Sequence, residues 1–110
     1  MPEPKLELLK GTLDLLILRT LALCSMHGTA IAECIAQVTQ GAFRVKAGSL
    51  FPALHRIEQA GWIEGEWQES AEGRRVRSYR LTPSGRRQLA AERRNWSRIV
   101  KAMNALLESA

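Results

Sequence analysis

The sequence lacks the features that mark secreted and membrane-anchored chains. It carries only two cysteines, Cys24 and Cys34, both in apolar surroundings, and it has no secretory signal. The apolar run from Leu13 to Met26 is too short to span a bilayer, and Asp14 and Arg19 interrupt it. We therefore expect a cytoplasmic protein with reduced thiols and no contact with a membrane.

Residue patterns for catalysis or metal binding are missing as well. The sequence contains no serine-histidine-acid arrangement, phosphate-binding glycine loop or pair of carboxylates. Cys24, His27 and Cys34 stand at irregular spacing and lack the paired signature of structural zinc. Both cysteines are predicted on buried stripes, which argues against a thiol switch. We expect no enzyme, no cofactor and no metal site.

Positive charge is present in excess, and it is unevenly placed. The 110 residues have a formal net charge of +5 and a pI near 9.9, although residues 1–45 are balanced. The excess lies around residues 74–77 and on the last helix, and such basic surfaces associate with polyanions. For the last helix a merely solvated basic face is an equal alternative. For residues 74–77 we favour a function.

Residues 47–81 are the segment around which the chain is organised. They begin with a helix whose buried stripe recurs at i, i+4 and i+7: Leu50, Leu54 and Ile57. Gly61 is predicted to end this helix in a left-handed conformation. Pro52 has no N–H, so the helix either begins near Ser49, with Pro52 in its first turn, or begins irregularly.

Two strands follow this helix. Trp62–Gln68 and Val76–Leu81 are rich in aromatic and β-branched residues, and Ser70–Gly73 supply a turn between them. Alternation predicts that one face of this hairpin covers the core, through Ile63, Trp67, Tyr79 and Leu81. A helix with an exposed polar face followed by a hairpin tipped with arginines is typical of a winged helix-turn-helix, which reads duplex DNA.

The preceding segment fits this interpretation. A first helix near Thr12 is apolar almost all round, so it needs cover on more than one face, and a partner subunit could supply it. Thr29 to about Thr39 form a second helix, which in a helix-turn-helix braces its successor.

The last helix is predicted to join two copies of the chain. Thr82 is predicted to cap the N-terminus of this helix, and Pro83 to be its first residue. An apolar stripe then runs along the helix with no later element to cover it: Leu89, Trp96, Ile99, Val100, Met103, Leu106 and Leu107. Burying such a stripe contributes on the order of 10 kcal/mol before entropy, so we expect a homodimer.

The predicted fold is therefore mainly α with a β-hairpin wing (α+β). Residues 1–82 form a winged helix DNA-binding domain and residues 83–110 a C-terminal dimerisation helix. Lys46, Ser49, Arg74 and Arg75 are expected to hold phosphates, which gives salt-dependent affinity, while His55 and Arg56 are candidates for base edges. For Arg56 the alternative is a helix residue paired with Gln59 or Glu58.

Four segments carry a resemblance to the PadR family of bacterial transcriptional regulators. They are LLKGTLDLLILRTLAL, MHGTAIAECI, GSLFPALHRIEQAGWIEGEW and RRVRSYRLTPSGRRQLAAE. The later segment NWSRIVKAMNALL is similar to the single dimerising helix of the short subfamily. The resemblance implies a homodimer of winged helix domains on a palindromic operator in double-stranded DNA, usually a repressor relieved by a small molecule.

The resemblance also implies roles for individual residues. Ser49 and Phe51 match the family's serine/threonine-leucine-tyrosine motif, but the tyrosine is replaced, so we expect Phe51 to pack rather than to touch DNA. Arg74, Arg75 and Arg77 match the family's basic wing. In small multidrug-responsive members a tryptophan in the place of Trp96 stacks on flat aromatic ligands, which suggests an aromatic effector site at Trp96 and Val100; plain packing is the alternative.

Fold alone does not determine function, so a second class stays open. A winged helix of this kind could have kept its fold while serving as a protein-interaction or ligand-binding module without specific DNA binding. Binding to duplex DNA with a steep salt dependence would distinguish the regulator from that module.

Overall fold

The structure is a computed structural model that describes residues 11–109. Within that range it contains four helices and three strands, which follow along the chain as α1 (Thr12–Leu23), β1 (Met26–His27), α2 (Gly28–Val38), α3 (Ala47–Gln59), β2 (Ile63–Glu69), β3 (Arg75–Leu81) and α4 (Pro83–Leu107). The prediction of a mainly helical winged fold is confirmed. The division at residues 82 and 83 into two units stays a prediction.

One core joins all four helices to the sheet. Helix α1 lies at its centre and packs against α2, α3, α4 and β3. The side chains that are almost fully withdrawn from water come from the first three helices and β2: Ile17, Leu18, Ile31, Leu50, Leu54, Ile57 and Ile63. The stripe predicted for α3 from its spacing is therefore the stripe that is buried.

Helix α3 begins earlier and ends where the sequence predicted. Its first residue is Ala47, so Pro52 is the sixth residue and lies in the second turn. Of the two alternatives for this helix start, the one with Pro52 in the first turn is therefore wrong; both Pro52 and Gly48, whose carbonyl loses its bond, are exposed. Gly61, with φ 83°, ends the helix as predicted, because its N–H donates to Glu58 and the next N–H donates to Ile57.

The sheet has the strand order β1-β3-β2, and all pairs are antiparallel. The two-residue strand β1 was not predicted. We call β2, β3 and their turn the wing. Trp67 shares a face with Ile63, as predicted, but it lies beyond the edge of the core and is 55% exposed. The prediction that Trp67 covers the core is therefore wrong.

Helix α4 is fixed to the domain by its first two turns. The Thr82 hydroxyl accepts from the Gly85 N–H at 2.9 Å, and Pro83 is the first helical residue, so this predicted start is confirmed. Gly85 packs so closely on the backbone of Trp62 that a Cβ at this position would overlap the Trp62 carbonyl oxygen. Leu89 is 8% exposed and packs in the core of its own chain, which corrects its assignment to a dimer stripe.

Three further observations concern the absences predicted from sequence. Among residues 11–109 no helix combines the length and apolar character needed to cross a bilayer. The same range contains no cluster of three histidine, cysteine or acidic side chains suited to a metal ion. Cys24 is exposed just after α1, and Cys34 is half-buried, so the prediction that both lie on buried stripes is wrong for Cys24.

Candidate nucleic-acid interface

The face of α3 that points away from the core forms an exposed strip, composed of Gly48, Ser49, Pro52, His55 and Gln59. Lys46 precedes this strip as the N-cap residue, exposed and without a side-chain cap hydrogen bond. The amide nitrogen of Gln59 lies 3.5 Å from Nε2 of His55, so the two side chains are neighbours across one turn. The strip therefore combines hydrogen-bonding groups with a side-chain-free position at Gly48.

Arg56 borders the strip on the side of α1. Its Nη1 and Nη2 atoms each donate to a carboxylate oxygen of Asp14 at 2.7 Å, a two-point ion pair between α3 and α1. The Asp14 side chain is 11% exposed and the Arg56 side chain 59%, so the outer edge of the guanidinium faces water. These hydrogen bonds raise the pKa of Arg56 above its ordinary value. Arg56 is thus held by a partner that the sequence did not reveal, and the partners named in the alternative interpretation, Gln59 and Glu58, are not the ones used.

Glu58 borders the strip on the opposite side, toward the wing. Its carboxylate accepts a hydrogen bond from Nη2 of Arg77 at 2.5 Å, and this bond raises the pKa of Arg77. Arg77 was predicted to reach DNA from the wing, but the structure turns it toward α3. Gly65 makes this possible, because a Cβ on Gly65 would lie 2.5 Å from Nε of Arg77.

Aromatic rings complete the inner face of the wing. The guanidinium carbons of Arg75 and Arg77 lie 5.1 Å and 5.4 Å from the centre of the Trp67 ring, within cation–π range. Arg77 is also 6.0 Å from the ring of Tyr79. Burial raises the pKa of the Tyr79 phenol, with a further contribution from the charge of Glu58.

The tip of the wing carries exposed arginine. Ser70 and Gly73 close the turn through a 2.9 Å backbone hydrogen bond, with Gly73 at φ 79°, as the turn prediction requires. The Ser70 hydroxyl also accepts from the N–H of Arg74 at 3.1 Å. The side chains of Arg74 and Arg75 are exposed. Both therefore stand at the far end of the hairpin, where the sequence placed them.

The structure brings part of the predicted set together. A groove between α3 and the wing is lined by Phe51, His55, Glu58, Gln59, Arg77 and Tyr79. The Phe51 ring lies against Gly28 of α2, but the residue is 44% exposed in the groove, so the expected packing role is met only in part. Asp14, Glu58, Gln59 and Trp67 border this surface but were not among the predicted site residues. Only Gln59 carried a signal, since it stands one turn after His55 on the predicted polar face.

Helix α4 carries the second predicted surface. Its apolar stripe beyond Leu89 is exposed at Trp96 (45%), Ile99 (45%), Val100 (37%), Met103 (54%), Leu106 (74%) and Leu107 (75%). Trp96 and Val100 line a shallow open groove together with Ser97, Lys101 and Asn104. The helix also presents exposed arginines, namely Arg86, Arg87, Arg93, Arg94 and Arg98.

Comparisons with known proteins agree with this architecture. The family described as "Transcriptional regulator PadR-like family" matches residues 17–91. A protein of Mycobacterium tuberculosis named as a transcriptional regulator is 35% identical over 95 residues, covering 86% of this chain and 85% of that protein.

Solved structures give the same result. A PadR family transcription regulator from Clostridium difficile is 31% identical, with a TM-score of 0.74 over 86% of this chain and 97% of that one. A transcriptional regulator from Clostridium thermocellum has a TM-score of 0.83 at 26% identity, over 90% of this chain and 96% of that one.

Proposed function

The chain belongs to the PadR-like family of transcriptional regulators, and from this premise we propose that it is a homodimeric repressor that binds a palindromic DNA operator. The family consists of regulators rather than enzymes, which confirms the prediction of no catalytic activity. The observation that carries the proposal is the pairing of an exposed, hydrogen-bonding strip on α3 with an arginine-tipped wing beside it.

The proposed contacts divide into two classes. Arg74 and Arg75 on the wing, with Lys46 and Ser49 at the start of α3, hold phosphates and supply affinity that falls with salt. His55 reads base edges in the major groove, where a recognition helix presents its exposed residues.

Arg56 and Arg77 contribute in a more restricted way than the sequence suggested. Asp14 uses two of the five N–H donors of Arg56, which leaves its outer edge for a base or phosphate. Arg77 is engaged by Glu58 and reaches DNA only if that contact opens.

The exposed stripe of α4 supports the dimer. Six large apolar side chains on one helix form a patch that a single chain leaves in water. A two-fold pair formed through Trp96, Ile99, Val100, Met103, Leu106 and Leu107 covers this patch. To read both halves of a palindromic operator, such a pair would present its two α3 helices about 34 Å apart, one turn of B-DNA.

The groove beside the stripe supports an effector site. Trp96 and Val100 line it, and a half-exposed indole offers a flat surface on which a small aromatic molecule stacks. Because these two residues also belong to the proposed dimer stripe, a ligand there changes the fit between subunits. We propose that such a ligand relieves repression.

Selection of duplexes from a randomised pool, followed by binding measurements over a range of salt, tests the proposal. We expect an enriched palindrome, a steep loss of affinity with salt, and altered base preference for His55→Ala. Arg74→Ala should weaken binding to all duplexes alike, while Arg80→Ala, on the outer face of the wing, serves as its matched control. Absent or salt-independent binding would contradict the proposal and favour the protein-interaction or ligand-binding module.

A further inference from the structure

Two ion pairs lie on opposite faces of the wing, and the outer one has a second hydrogen bond, from Nε of Arg80 to Glu64 at 2.9 Å. On the inner face Arg77 donates to Glu58 of α3 at 2.5 Å, and on the outer face Arg80 donates to Glu64 at 2.5 Å. The inner pair is more enclosed, with side chains 29% and 28% exposed against 67% and 56%. The outer pair joins two strands of the wing, whereas the inner pair joins the wing to the recognition helix.

The inner arginine is held on several sides at once. Trp67 and Tyr79 lie within cation–π range of its guanidinium, and Gly65 leaves the space beneath it open. A carboxylate oxygen and a phosphate oxygen are both charged acceptors for guanidinium N–H donors. Glu58 therefore occupies Arg77 with the same chemistry that a DNA phosphate would offer.

We propose that Glu58 is a positioning residue for operator recognition: its hydrogen bond to Arg77 fixes the wing against α3 and keeps this arginine from binding phosphates on arbitrary DNA. The inference rests on the proposed DNA binding and adds a mechanism for discrimination. With the contact intact, wing and α3 meet DNA as one rigid unit, and only a duplex that fits both gains their full contacts.

Loss of the Glu58 carboxylate should raise the affinity for non-operator DNA, whereas ordinary structural damage would lower it. It removes a negative charge beside the groove and frees one arginine for phosphate contact. The slope of log affinity against log salt then steepens by about 1, because each added phosphate contact releases counterions. Affinity for non-operator DNA rises, while the advantage of the operator falls because the wing is no longer fixed.

The test compares Glu58→Gln with Glu64→Gln, which removes a carboxylate from the outer pair and changes the net charge by the same amount. Binding is measured on the duplex selected by the wild type and on a random duplex of equal length, with folding checked by thermal unfolding. For Glu58→Gln we expect about three- to tenfold tighter binding to the random duplex and about a fivefold or greater loss of discrimination. For Glu64→Gln we expect unchanged discrimination.

An Arg77→Gln background tests whether the effect of Glu58→Gln acts through Arg77. In that background Glu58→Gln should no longer steepen the salt dependence, because no arginine is left to release. Equal effects of Glu58→Gln and Glu64→Gln in a wild type that discriminates would overturn the inference alone. A parallel loss of affinity for both duplexes would do so too, since it indicates a structural role. A wild type that enriches no duplex from the pool and does not bind the random duplex would overturn the proposed function, and this inference with it.

Discussion

Helices α3 and α4 are both exposed along one side, but they differ in what holds them. On α3 every flank is engaged: Arg56 bonds to Asp14 of α1, Glu58 bonds to Arg77 of the wing, and the buried stripe fills the core. On α4 only the first turns are fixed, and from Trp96 onward its large apolar side chains face water. The difference teaches that a single chain completes the surface we propose to bind DNA, whereas it leaves the apolar stripe of α4 exposed, where we propose that a second chain packs.

The largest effect should come from charge on the exposed stripe of α4. Replacing both Val100 and Met103 with Asp places two buried charges per chain in the proposed interface. We expect the dissociation constant of the dimer to rise at least about 1,000-fold in sedimentation equilibrium, a loss of about 4 kcal/mol in the free energy of association. Ala105→Asp, which places a charge on the same helix outside the apolar stripe, at the far edge of the groove, should leave the dimer intact. An unchanged dissociation constant in the double variant would contradict the proposal that the exposed stripe of α4 forms the dimer interface.

Glycine substitutions sharpen the comparison at a smaller scale. Gly85→Ala forces a methyl group against the Trp62 carbonyl, so α4 must shift from the core. We expect a loss of about 2–3 kcal/mol in the free energy of unfolding, measured with urea. Gly48→Ala on α3 meets nothing within 4 Å and should stabilise the helix by about 0.5–1 kcal/mol. Equal losses of unfolding free energy for the two variants would contradict a close backbone contact at Gly85 and open space at Gly48.

Breaking the contact between α3 and α1 should have the next largest effect. Arg56→Gln leaves the nearly buried carboxylate of Asp14 without its charged partner. We expect a loss of about 1–2 kcal/mol in the free energy of unfolding, less than for a fully buried pair because the guanidinium edge is in water. Arg80→Gln, which breaks an exposed pair, should change stability by less than about 0.5 kcal/mol. A loss for Arg56→Gln no larger than this control would show that α3 is not held at this flank.

The smallest effect concerns pH, at Tyr79 beside the flank of α3. Tyr79 is the only tyrosine, so tyrosinate absorbance reports on it alone. Because burial raises the pKa of the folded phenol above its ordinary value of 10.0, the folded state holds this proton more tightly than the unfolded chain does. Its contribution to stability is complete below pH 10 and declines as pH rises toward the folded pKa. A titration midpoint at or below that of the urea-unfolded chain would contradict the burial.

Much of the fold follows from local signals. The i, i+4, i+7 stripe of α3, the glycine stop at Gly61, the turn before Gly73 and the cap at Thr82 each follow from one or a few neighbouring residues, and the structure confirms all four. Of the two alternatives for the start of α3, the one near Ser49 rested on the preference of proline for a first turn, and the structure does not adopt it. An exposed proline in a second turn costs one hydrogen bond, and the packing of the buried stripe outweighs it.

The site could be predicted only in part, for a different reason. The bond between Arg56 and Asp14 joins residues 42 positions apart, and the bond between Arg77 and Glu58 joins residues 19 apart. No spacing rule reveals such partners, so the sequence identified the arginines and not the carboxylates that engage them. Trp67 was misplaced because alternation predicts the face of a strand but not where the core beneath it ends. Leu89 was misassigned for a similar reason, since a heptad spacing continues unchanged from the core into the exposed stripe.

The most direct test of the account is the mass and affinity of the complex with a duplex selected by the wild type. Sedimentation velocity should show two chains on one full duplex, and a duplex carrying only half of the palindrome should bind at least about 100-fold more weakly. That result would show that the complex uses both the exposed apolar stripe of α4, for dimerisation, and the exposed strip of α3, for DNA binding. One chain per duplex, with equal affinity for half and full sites, would contradict it.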